Sequence, residues 1–270
     1  MGARTGLVAM GLLAALAATA CTGETTRGTA ARAEAAPTTS ATPPPPPDPC
    51  VLTVSGSPVP LDAATAVRAT DLAAAAVREA GDGEADPADV AAQLADVPEL
   101  SAVAAPAATA LLGREGPALT CAFPRGESDE QEAGRSGLTP RADALLEAMD
   151  DAFGELPTGG YATGGVDSGH TSDSAHYDGR AIDVFFRPSS DAAQRHRGWT
   201  LAQWLVARGD RTSLLSVIYR DRIWTVWASG AGWRDYVHPS GNTTNPVLRH
   251  LDHVHTAVVG GDRRRDDDDD

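Results

Sequence analysis

The chain has 270 residues, 42% of them hydrophobic, and sets 22 basic side chains, all Arg, against 37 acidic ones for a formal charge of -15. That length suits one or two globular domains with a real core. The acidic excess argues against a nucleic-acid binder, which needs a cationic face to displace counterions from phosphates, and against a polybasic membrane-surface patch.

Arg4 followed by the apolar run Gly6 to Ala20 is too short for a bilayer span, which takes about 20 residues. It has the form of an export signal over residues 1–20. The run ends Leu16-Ala17-Ala18-Thr19-Ala20-Cys21. Small residues before a Cys resemble a bacterial lipoprotein signal, which implies acylation of Cys21 and a membrane anchor; an ordinary secreted chain is the alternative. Export places the remaining pair, Cys50 and Cys121, in an oxidising compartment where a disulfide persists. Residues 21–49, rich in Thr, Ala and Gly and ending in Pro43 to Pro47, lack the apolar surface to fold and predict a disordered tether.

Residues 50–125 predict a small helical domain. Leu61 to Ala80 is Ala-rich with Asp62 at its start and Gly81 after its end, the punctuation of a helix. Asp86-Pro87 opens a second helix with Pro at its first position. A third, Leu100 to Leu112, is expected to be interrupted by Pro106. Residues 126–137, acidic and Gly-containing, predict a linker. From Leu138 a second domain begins, reaching to residue 260. Thr139-Pro140 caps a helix whose apolar face is Ala142, Leu145, Met149 and Phe153. Strands are predicted at Ala181 to Phe186, Leu215 to Tyr219, Ile223 to Trp227 and His253 to Val259, the middle two as a hairpin across Arg220-Asp221-Arg222. Asp191 to Arg208 predicts a helix closed by Gly209. The class is therefore α+β: a small antiparallel sheet flanked by helices, preceded by the all-helical domain. Residues 261–270, with five terminal Asp, predict a disordered acidic tail.

Two segments concentrate the reactive side chains: Ser174-Ala175-His176-Tyr177-Asp178-Gly179-Arg180-Ala181-Ile182-Asp183, and Asp252-His253-Val254-His255. Imidazoles and carboxylates beside strands suit a zinc site of His, carboxylate and His with one position left for water. Asp183 would stand on a strand, His176 before it across a turn at Gly179, and His255 on a neighbouring strand. Such a metal acidifies water and polarises a carbonyl, and a further group must take the proton. His170, His196, His238 and His250 are read as ordinary polar residues, Asp178 as turn chemistry, and Trp199, Trp204, Trp224, Trp227 and Trp233 as core.

The order Ser174-x-His176-x-x-Gly179-x-Ala181-x-Asp183, followed by Asp252-x-x-His255, resembles the signature of the zinc D-alanyl-D-alanine carboxypeptidases and dipeptidases of the hedgehog/DD-peptidase fold. The resemblance covers Leu138 to Val259. It implies a zinc metallopeptidase acting on peptidoglycan stem peptides or other peptides, with His176, Asp183 and His255 as Zn2+ ligands. It further implies Asp252 as general base and Ser174 as a substrate-side hydrogen-bonding group. His253 is the alternative base, since related enzymes with a His-x-His element use its first His near the water. The family's upstream Tyr-Arg element is here Tyr161-Ala162, with Arg180 the candidate to compensate at the substrate. Loss of that Arg also motivates the alternative of a non-catalytic wall-binding lipoprotein that keeps the fold. The expected location is the outer side of the cell membrane, facing the wall.

Overall fold

The computed structural model describes residues 49–124 and 128–260. The signal segment, Cys21, the Pro-rich tether up to residue 48 and the acidic tail lie outside them. The described residues belong to one compact unit.

The N-terminal part opens with a hairpin, β1 (Cys50–Val54) and β2 (Ser57–Leu61), turning at Ser55 and Gly56, both with positive φ. A third strand, β3 (Leu119–Cys121), adds to β1 in the order β2-β1-β3. Three helices lie between: α1 (Ala63–Ala80), α2 (Pro87–Leu94) and α3 (Ala104–Leu111). Asp62 caps α1 by accepting the Thr65 N–H at 2.6 Å, and Asp86 caps α2 through Ala88 at 2.8 Å. This region is thus not wholly helical, as its composition had suggested. The strands are short, and Pro58 and Pro60 stand on the edge strand β2, where the missing N–H costs nothing. Nor does Pro106 break a helix. A 3-10 turn at Ser101–Val103 leads into α3, and Pro106 falls in its first turn, where the N–H has no partner to lose. Cys50 and Cys121, opposed in the β1–β3 register, are joined by a disulfide.

The C-terminal part carries α4 (Pro140–Phe153), β4 (Thr158–Gly159), β5 (Ala181–Phe185), α5 (Ala192–Ala207), β6 (Leu214–Tyr219), β7 (Arg222–Thr225), β8 (Arg234–Asp235) and β9 (His253–Val258). Its six strands form one antiparallel sheet, β4-β5-β9-β6-β7-β8. The α+β class predicted from the pattern is the class observed. The β6–β7 hairpin is tighter than expected: Arg220 and Asp221 alone make the turn, both with positive φ, the twist that suits a two-residue hairpin.

Residues 126–137 do not separate two cores. Helix α5 is buried on all sides from Gly198 to Ala207, covered by the sheet on one side and by α1 and β3 on the other. Gln203 at its centre is fully buried and fully satisfied. Its Oε1 accepts the N–H groups of Ala118 (3.0 Å) and Leu119 (2.8 Å), and its Nε2 donates to the carbonyls of Ala110 and Leu111 (3.1 Å each). The indoles of Trp224 and Trp233 donate to the Cys121 and Leu119 carbonyls at 3.1 and 2.8 Å. One sheet face, with Ile182, Val184, Val217, Tyr219 and Val254, is buried in this shared core. The opposite face carries the site.

Candidate metal centre and its cavity

Side chains alternate along a strand, so register decides which residues meet. Asp183 on β5 is directly opposite His255 on β9, and Phe185 opposite His253. Two-residue spacing places all four on one face, and Ile218 of β6, opposite His255, extends it. Thr256 and Val254 point the other way, into the core.

His176 joins this face from the turn preceding β5. A carbonyl can only accept, so the 2.7 Å contact between His176 Nδ1 and the Gly160 oxygen assigns the ring proton to Nδ1 and leaves the Nε2 lone pair free. That Nε2 lies 3.1 Å from His255 Nδ1 and 3.4 Å from Asp183 Oδ1; His255 Nδ1 is 3.1 Å from the same carboxylate oxygen. These three residues, drawn from a turn and two strands, can hold a metal ion. Burial alone would raise the Asp183 carboxyl, but hydrogen bonds and charge from His176 and His255 outweigh it and hold it well below the usual carboxylate range. Burial pushes the His255 imidazole down, with Asp183 opposing. A carboxylate kept ionised beside imidazole nitrogens is a state that metal binding requires.

His253 stands beside the triangle. Its Nδ1 donates to Asp252 Oδ1 at 2.9 Å, and its Nε2 lies 3.9 Å from Asp183 Oδ1. The second oxygen of Asp252 accepts from Arg187 Nε at 2.8 Å. Asp252 itself precedes β9, so its carboxylate reaches the triangle only by way of His253. Burial raises its carboxyl, yet the bonds from His253 and Arg187 hold it below the ordinary value.

Above the triangle lies a cavity of about 730 Å³, within the range of small-molecule sites. Ser174 lines it, its Oγ accepting the His176 N–H at 3.4 Å, so it also shapes the turn that presents His176. Arg180 does not reach it. Arg180 stands just before β5, and its guanidinium turns to a second surface away from the triangle. There it pairs with Asp178 Oδ2 at 2.6 Å and lines a separate cavity with Trp227. Trp227 itself is 59% exposed rather than core, because β7 ends at Thr225.

Several residues read as ordinary belong to the cavity. His170 stacks on His176 with ring centroids 4.0 Å apart, and His238 and His250 form part of the wall. Only His196 lies elsewhere, beside Glu84. Arg187 lines the same cavity, and Gly160 backs His176. Gly160 has φ +80°, and a Cβ there would lie 2.3 Å from His176 Cε1 and 2.6 Å from its Nδ1. The Gly159-Gly160 pair beside Tyr161 was the available signal, since a paired glycine marks a close backbone approach.

Two imidazoles and a carboxylate thus converge beside a cavity in an α+β fold. Residues 134–247 match the family model described as VldE, C-terminal domain. That stretch includes Gly160, His176 and Asp183 and ends before Asp252 and His255. No curated protein matches the chain, and no solved structure does.

Proposed function

We propose that this chain is a zinc-dependent peptidase that hydrolyses amide bonds of peptidoglycan stem peptides in the manner of D,D-carboxypeptidases, outside the cell membrane. The observation that carries this is the ligand triangle, with edges of 3.1, 3.1 and 3.4 Å. Zinc bonds of roughly 2.0–2.2 Å at tetrahedral angles place ligand atoms about 3.3–3.5 Å apart. Two imidazole nitrogens and one carboxylate oxygen, leaving a fourth position open to the cavity, are a donor set suited to catalytic zinc. The peptide substrate follows from the resemblance of the Ser174–Asp183 and Asp252–His255 segments. Export and a Cys21 lipid anchor follow from the N-terminal segment, and the Cys50–Cys121 disulfide is compatible with an oxidising compartment.

A bound zinc ion supplies Lewis acidity and lowers the pKa of water. The chain supplies the rest. The Gly160 carbonyl fixes the tautomer and ring orientation of His176, an outer-shell role that metal sites use widely. With Nδ1–H held by Asp252, His253 presents Nε2 towards the triangle, where it accepts the proton of the attacking water. Asp252 stays ionised and stabilises the imidazolium that results, as a carboxylate does beside a general-base His. The base is thus His253, and Asp252 is the positioning residue, the reverse of the order expected from Asp252-x-x-His255 alone.

The test is metal content together with turnover. Purified protein should carry one zinc per chain, and His176→Ala or His255→Ala should lose it. His253→Gln should keep the metal and lose about 10²–10⁴ in kcat. Stoichiometric zinc with every stem-peptide fragment left intact would refute the peptidase and leave the wall-binding lipoprotein.

A further inference from the structure

We propose that Arg187 is a specificity-determining residue that anchors a substrate carboxylate, so that the cavity takes peptides with a free C-terminus one or two residues beyond the amide held at the metal triangle. The inference rests on the peptidase proposed above and names its substrate class. Arg187 is the only Arg lining the cavity among the described residues, and its side chain is 56% exposed. It is nevertheless held in place. Nε donates to Asp252 Oδ2 at 2.8 Å, and the guanidinium lies over the Phe185 ring at 4.1 Å. With one edge and one face committed, the Nη1 and Nη2 groups make no hydrogen bond among the described residues. They form the planar fork that pairs bidentately with a carboxylate.

Position sets the reach. Phe185 and Asp183 point the same way two residues apart on β5, about 7 Å along the strand. An extended peptide advances roughly 3.3–3.6 Å per residue. A carboxylate bound over Phe185 therefore lies one or two residues from an amide at the triangle. Arg187 enters from the end of β5, whereas Ala162 has no charge to offer and Arg180 pairs with Asp178 and lines a separate cavity.

The probes are an N-blocked tripeptide ending in D-alanyl-D-alanine and its C-terminal carboxamide, titrated calorimetrically into metal-stripped protein so that binding is read without turnover. The acid should bind at least about 30-fold more tightly than the amide to the wild type. Arg187→Gln should bring the two affinities together, and Arg187→Lys should restore part of the difference. Equal affinities in the wild type, no measurable binding of either peptide, or a preference that survives Arg187→Gln would overturn the proposal. Turnover by zinc-loaded protein is scored separately. Acid-selective binding without cleavage refutes the peptidase and keeps the carboxylate site, whereas cleavage without acid selectivity does the reverse.

Discussion

Replacing Gly160 by alanine would place a methyl group 2.3 Å from His176 Cε1, in a backbone conformation that disfavours any side chain. The ring must swing away, and with it goes the bond to the Gly160 carbonyl that leaves Nε2 unprotonated. Gly160→Ala should therefore weaken metal binding by about 10–100-fold, the usual cost of losing an outer-shell partner, as read by competition with a chromogenic chelator. His250 offers a second test at this scale. Burial first, then the charges of His255 and His253, lower its imidazole to about 3, while the unfolded chain titrates near 6.5. A base with a depressed folded pKa leaves stability intact above about 6.5 and costs stability as pH falls from there towards 3. At pH 5 its share is about 2 kcal/mol. Urea denaturation of chelator-treated protein at pH 7 and pH 5 should show this loss. His250→Asn, which tolerates the positive φ of 52° at that position, should remove about that much of it.

Helix α5 shows how one element binds two regions of the chain. Asp191 caps it through Gln194 at 3.1 Å, and its second half is buried on every side. A helix apolar all round belongs in the middle of a core. Its polar residues there are Thr200, bonded to the His196 carbonyl, and Gln203, which serves two N–H groups near β3 and two carbonyls at the end of α3. Gln203→Leu would leave those four backbone groups without the partner they have in the native core. Because unsatisfied buried groups carry their full desolvation cost, the substitution should lower unfolding free energy by about 2–4 kcal/mol, seen as a lower urea midpoint at unchanged m-value. The same element-level geometry separates Arg180 from Arg187. Both flank β5, but the first is drawn to Asp178 before the strand begins, while the second leaves the strand end and folds back over Phe185.

At the scale of the molecule, the first 75 or so described residues are not an appended domain. They form one wall of the core whose other wall is the sheet that presents Asp183 and His255. Excision of residues 49–124 would bare the α1- and β3-facing side of α5, including Trp204, which bonds Asp71, and Gln203, which bonds Ala118 and Leu119. Residues 128–260 expressed alone should therefore lack the cooperative thermal transition and near-ultraviolet dichroism of the intact chain, and should not bind zinc. A folded, zinc-binding fragment would restore the division at residues 126–137. That division was drawn from a local drop in apolar content, which reports solvent exposure of a loop and nothing about what packs on either side. The contrary signal was present in Leu201-Ala202-Gln203-Trp204-Leu205-Val206-Ala207, too apolar on every face for a helix covered on one side only.

Local chemistry was readable from order alone. Asp62 and Gly81 marked the ends of α1, and capping residues followed by Pro marked the starts of α2 and α4. Alternation and β-branched runs marked β5, β6, β7 and β9, though not the short β1, β2, β3, β4 and β8, and the Ser174–Asp183 and Asp252–His255 segments marked the three residues that can hold a metal ion. These depend on residues within a few positions of one another, or on side chains whose type admits few roles. What folding decided was every question of direction and neighbourhood. It opposed Asp183 to His255, put His253 rather than Asp252 against the triangle, brought the Gly160 carbonyl to His176, sent Arg187 instead of Arg180 into the cavity, and merged two expected cores into one. Each of these turns on strand register or on contacts between distant segments, where a shift of one residue reverses the face a side chain presents.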